Sequence, residues 1–104
     1  MKGTDMEICL LVIYAPPALE ETLVDWLLEN ESVSGFSTTE AYGHGQRQTD
    51  MSLLEQVTGR QRRVQFMIET GRETAMKLVA VLKQKFNGTG LHFQLVPVLE
   101  AGQV

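Results

Sequence analysis

The stretch Gly35 to Gln46 reads GFSTTEAYGHGQ, and the fold is decided around it. Phe36, Thr38, Glu40 and Tyr42 alternate with Ser37, Thr39 and Ala41, the period of a strand of moderate hydrophobicity. The strand runs into Gly43-His44-Gly45, and a polar segment from Arg47 to Gln61 follows. Beyond it, Arg62 to Thr70 alternates more clearly. Val64, Phe66 and Ile68 fall on one side and Arg63, Gln65 and Met67 on the other. The connection from Gly43 to Gln61 is far longer than a hairpin loop of about 2–5 residues. Such a segment is either functional, an extended arm, or ordered only by subunit packing. Leu53, Leu54 and Val57 have helical spacing and suit a turn that docks on a partner, whereas Gln46, Arg47, Gln48, Thr49 and Asp50 read as solvated.

Outward from this pair of strands, each side supplies one more strand and one helix. Glu7 to Tyr14 is an apolar, β-branched run stopped by Ala15-Pro16-Pro17, the pattern of a strand covered on both faces. The prolines suit a helix start, and Glu20 and Glu21 favour the positive end of its dipole. Leu19, Leu23, Trp26 and Leu27 make its buried stripe, and the helix is expected to end near Asn30. On the other side, Thr70-Gly-Arg-Glu73 fits a capping box, and Ala75, Leu78, Val79, Leu82 and Phe86 form a second stripe. Lys83 and Lys85 complement the helix end, and Asn87-Gly88 supplies a left-handed stop. The last strand, Leu91 to Val98, contains Pro97, which lacks an N–H and so belongs at a sheet edge or a strand end.

The order β-α-β-β-α-β predicts an α+β, ferredoxin-like fold, with both helices on one face of a four-stranded antiparallel sheet and strand 1 central. Residues 1–104 are expected to form one domain. Strand 1 is apolar on both faces: Ile8, Leu10 and Val12 on one, Cys9, Leu11 and Ile13 on the other. Two helices cover only one of these faces. An apolar face left in water is an aggregation hazard, so self-association is expected.

Hydrophobic residues make up 43% of the chain, and thirteen acids against nine bases give a net charge of -4. That balance argues against nucleic-acid binding, which neutralises phosphates with Lys and Arg, and Arg60, Arg62 and Arg63 are too few to reverse it. The single cysteine, Cys9, excludes an intramolecular disulfide and reads as a buried thiol. Its apolar run is too short for a membrane span of about 20 residues. The charged N-terminus MKGTDME does not read as a signal peptide, so a cytoplasmic protein is expected.

No motif for catalysis stands out. There is no Ser-His-Asp order, no paired-carboxylate signature and no H-x-H, C-x-x-C or H-E-x-x-H spacing, so a non-enzymatic protein is expected. Gly43-His44-Gly45 is not a dinucleotide fingerprint, because no helix follows, yet its glycines let backbone N–H groups approach an anion. His44 reads either as a solvated loop histidine or as a titrating or metal-binding group, and His92 falls on the outward or subunit-facing side of strand 4. Glu40 either anchors the loop base or a ligand, or is an ordinary solvent-facing strand residue.

The same dozen residues, Gly35-Phe-Ser-Thr-Thr-Glu40-Ala-Tyr-Gly43-His-Gly45-Gln46, resemble the second strand of the PII (nitrogen regulatory) signalling proteins. That strand reads Gly, an apolar residue, Thr, Thr or Ser followed by Glu, two variable residues and Gly-Phe-Gly. The resemblance implies a homotrimer, an effector bound between subunits and a T-loop, here 43–61, that engages a partner protein. It makes Ser37, Glu40, Gly43, His44, Gly45, Gln46, Gly88 and Gly90 the effector-binding candidates. Arg47, Gln48, Asp50, Leu53 and Leu54 become the partner-binding candidates. PII proteins bind ATP or ADP through Gly-x-Gly-Lys ahead of strand 4 and through arginines after it. Here Gly88-Thr89-Gly90 is followed by Leu91, and Glu100-Ala-Gly-Gln-Val104 contains no arginine. Each charge-assisted bond lost is worth about 1.5–3 kcal/mol, so the sequence does not support ATP or ADP, and the effector is unassigned. The segment 43–61 beyond strand 2 holds no tyrosine for modification. The chain is also distantly similar to CutA-type divalent-cation tolerance proteins. That alternative makes His44 and His92 metal ligands across subunits.

Overall fold

The computed structural model describes residues 7–44 and 61–104. Strand β1 (Ile8–Ala15) leads through a 3-10 turn (Pro17–Leu19) into α1 (Glu20–Glu29), then β2 (Ser37–Gly43). Strand β3 (Gln61–Gly71), α2 (Arg72–Lys85) and β4 (His92–Pro97) follow. The strands form one antiparallel sheet in the order β2-β3-β1-β4. This is the ferredoxin-like arrangement, with β1 and β3 in the centre and β2 and β4 at the edges. The edge position of β4 suits Pro97, its last residue, which has no N–H to offer a ladder.

The pairing register sorts every strand residue onto one of two faces. Leu11 lies opposite Ile68 and Leu95, Ile13 opposite Phe66 and Phe93, and Ala15 opposite Val64. This is the helix-covered face. Leu11, Ile13, Phe66 and Ile68 are fully buried there against Leu23 and Leu27 of α1 and Leu78, Val79 and Leu82 of α2. Each such side chain contributes about 1.5–3 kcal/mol by leaving water. Phe36 stacks at a tilt on Phe66 with centroids 6.2 Å apart, and Trp26 meets Phe86 edge-on at 6.0 Å, tying the two helix ends together. The opposite face carries Ile8, Leu10, Val12 and Tyr14 of β1 with Gln65 and Met67 of β3, and neither α1 nor α2 crosses it. Ile8 and Val96 remain 38% and 40% exposed on it.

Two local expectations are corrected. Thr70 does not cap α2. It stays in β3, paired with Cys9, and the helix starts one residue later with Gly71 at the cap and no side-chain capping bond. The sheet ladder outcompetes the capping box, and the Arg72 N–H is satisfied by the Glu7 carbonyl at 2.8 Å instead. Gly88 supplies the expected left-handed stop after α2 at φ 76°, and Gly90 is left-handed as well at φ 88°. The Thr89 hydroxyl closes the turn on the Phe86 carbonyl at 2.6 Å. Phe36, expected within β2, lies just before it. Among the described residues no helix is long and apolar enough to cross a membrane.

Candidate functional site

The end of the sheet where β2 finishes and β3 begins brings Tyr14, Gly43, Arg63 and His92 together. Gly43 pairs with Gln61, Ala41 with Arg63 and Thr39 with Gln65, so the β2–β3 hairpin projects beyond Ala15, which pairs with Val64. Strand β4 starts at the same end, with His92 opposite Tyr14. The Gly88–Gly90 turn lies beside it, because a Cβ on Gly90 would stand 3.5 Å from the Pro16 side chain.

Across the face without helices runs a polar row, one residue from each strand: Thr39, Gln65, Tyr14 and His92. The Thr39 hydroxyl donates to Gln65 Oε1 at 3.2 Å, and Gln65 Nε2 donates to Tyr14 Oη at 3.4 Å. Next to this row lies a cleft of about 210 Å3 lined by Tyr14, Ala41, Tyr42, Gly43, Arg63 and His92. A second cleft of about 350 Å3 lies around the glycine turn, between Leu82, Phe86 and Phe93, and shares His92 with the first. There Lys83 Nζ stands 5.6 Å from the Phe93 ring centre. A larger cleft of about 570 Å3 lies at the opposite end, among Ile8, Cys9, Leu95, Pro97 and Val98. Of the charged groups on its wall, Glu7, Arg72 and Glu100, the first two pair with each other at 3.1 Å.

The candidate residues divide on these faces. Gly43 and His44, at the end of β2, share the loop-bearing end with Gly88 and Gly90. Ser37 does not join them: it starts β2, opposite Met67 in mid-sheet. Glu40 has the opposite parity, on the helix side, and stands 4.0 Å from Arg62. Both groups are more than half exposed, so this pair is worth at most about 1 kcal/mol. A fourth cleft of about 210 Å3, lined in part by Thr38, Glu40, Arg62 and Pro17, opens on that side. His44 is exposed and does not line the cleft that His92 lines. Among the described residues no group of three His, Cys, Asp or Glu is placed to hold a metal. Gly45, Gln46, Arg47, Gln48, Asp50, Leu53 and Leu54 lie outside the described residues, as does the helical turn expected around Val57.

Sequence reasoning passed over Tyr14 and Arg63. Their parity within β1 and β3 was readable, but a shared cleft depends on register across β2, β3, β1 and β4, and register is a property of the folded sheet.

Sheet order and helix placement together define an α+β protein of the ferredoxin-like fold class. The chain belongs to the family described as "Protein of unknown function (DUF3240)", whose model matches residues 5–104. A crystal structure of a DUF3240 family protein from Shewanella baltica is similar with a TM-score of 0.75 and 21% identity, covering 94% of this chain and 97% of that one. A "putative PII-like signaling protein" from Thermus thermophilus is similar with a TM-score of 0.64 and 18% identity, covering 89% and 90%. At such identities the likeness establishes the fold. No curated protein matches the chain.

Proposed function

We propose that this chain is a non-enzymatic, PII-like regulator of the cytoplasm that works as a homotrimer. It binds a small effector at the loop-bearing end, between subunits, and engages a partner protein through segment 43–61. The observation that carries this reading is the helix-free sheet face. Ile8 and Val96 are exposed there and Leu10 and Met67 half-buried, an apolar strip around the buried Val12 that neither helix covers. A neighbouring copy supplies the cover, and its arrival turns the clefts around Gly43 and the Gly88–Gly90 turn into inter-subunit sites. The fold likeness to a protein described as a signalling protein supports the same reading.

Two measurements test it. Light scattering at micromolar protein is expected to give three times the chain mass of 11.6 kDa, and a single-chain mass refutes the assembly. Deleting Gln48 to Gly59 is expected to leave that mass unchanged while abolishing partner capture. Loss of folding in that variant assigns the segment a structural role instead.

A further inference from the structure

We propose that Tyr14, Arg63 and His92, with Gly43, form a binding site for a small oxyanion of the carboxylate or phosphate type. The case begins with the direction of the hydrogen bonds in the polar row. Thr39 donates to Gln65 Oε1, which leaves Gln65 Nε2 as the donor to Tyr14 Oη. The Tyr14 oxygen is thus already an acceptor, and its own proton is left for a group in the cleft it lines. Arg63 lines the same cleft. Its Nη1 donates to the Arg62 carbonyl at 3.2 Å, which uses one of five guanidinium donors. His92, exposed on the edge strand, adds a ring N–H.

These groups present donors, and among the described residues no carboxylate side chain lines the cleft. Glu40, the acid of β2, lies on the other side of the sheet beside Arg62. The wall of the cleft is mostly apolar; a few side-chain donors on it and no carboxylate favour an anion over a cation, and the arginine fork matches carboxylate and phosphate oxygens alike. The cleft of about 210 Å3 has room for an anion of a few heavy atoms.

Gly43 supplies an independent argument. It sits in extended strand backbone, outside the glycines of positive φ, and a Cβ there would meet only the Gln61 carbonyl at 3.9 Å. The described backbone places no demand for glycine at this position, and Gly43 lines the cleft without a side chain. The proposal rests on the reading of this end as the effector site, but all of these lining residues belong to one chain, so anion binding and assembly are measured separately and can fail separately.

The test is calorimetric titration of the intact protein with sodium acetate and, separately, inorganic phosphate, with sodium chloride as an ionic-strength control. Saturable binding of either oxyanion is expected, with movement of the His92 ring resonances, and the stronger of the two identifies the group recognised. Arg63→Gln and Tyr14→Phe are each expected to weaken it about tenfold or more, the scale of a lost charge-assisted or convergent bond. Glu7→Gln, at the far end of the sheet, is expected to leave the affinity unchanged. Heat without saturation, an equal response to chloride, or unchanged affinity in folded Arg63→Gln overturns the proposal.

Discussion

Replacing Gly43 and Gly90 by alanine, one at a time, is expected to change stability in opposite directions. Gly90 has φ 88°, in the left-handed region where an alanine costs roughly 1–2 kcal/mol. The Cβ itself adds no clash, because its nearest neighbour, the Pro16 side chain, is in ordinary contact at 3.5 Å. Alanine also restricts the unfolded chain, which returns about 0.4–1 kcal/mol, so the net loss is about 1 kcal/mol. Gly43 lies in β2 with extended backbone, where glycine is about 0.5–1 kcal/mol worse than alanine. For a domain of this size 1 kcal/mol moves the melting midpoint by about 4–8 °C. Gly90→Ala is thus expected to melt several degrees below the wild type and Gly43→Ala a few degrees above it. Thermal unfolding followed by circular dichroism, repeated in urea, measures both shifts. A fall in Gly43→Ala as large as that of Gly90→Ala refutes the reasoning, since Gly43 would then serve the backbone rather than the cleft.

The remaining expectations follow from burial. Phe66→Ala empties the centre of the helix-covered face, where the ring is fully buried, and is expected to cost about 3–5 kcal/mol; an unchanged urea midpoint contradicts the described core. Arg72→Ala removes an exposed ion pair with Glu7 but spares the backbone bond from its own N–H, so the loss is expected to stay within about 1 kcal/mol. Val96→Asp puts a charge on the helix-free face; light scattering is expected to show dissociation, with helix content retained, and an intact assembly removes this face from the interface.

Periodicity made the elements legible because burial is what periodicity records. Val64, Phe66 and Ile68 alternate because one side of β3 faces two helices, and all three are buried. Leu23 and Leu27, spaced one turn apart, meet that same core. The Thr70 cap failed for a physical reason: a residue that suits a helix start also suits a strand, and the partner strand decided the matter. All the effector candidates except Gly88 and Gly90 were read from one short run of sequence, and such a run sends alternate residues to opposite sides. Ser37 and Glu40 were therefore parted, while Gly43 and the Gly88–Gly90 turn, distant in sequence, met at one end.

The helix-free face is itself divided along the strands, and this division gives it two separable properties. Toward the start of β1 lie Ile8 and Leu10, with Val96 opposite Leu10. Toward its end lie Tyr14, Gln65, Thr39 and His92, hydrogen-bonded in part to one another. Apolar area drives association without direction, whereas fixed donors recognise a ligand through geometry. A charge at Val96 should therefore weaken assembly through lost apolar contact, and Arg63→Gln should weaken anion binding while leaving the apolar field intact. If both substitutions abolish both properties, the cleft is completed by the neighbouring copy. If each abolishes only its own, ligand recognition belongs to the single chain, and assembly acts on it only by enclosing the cleft.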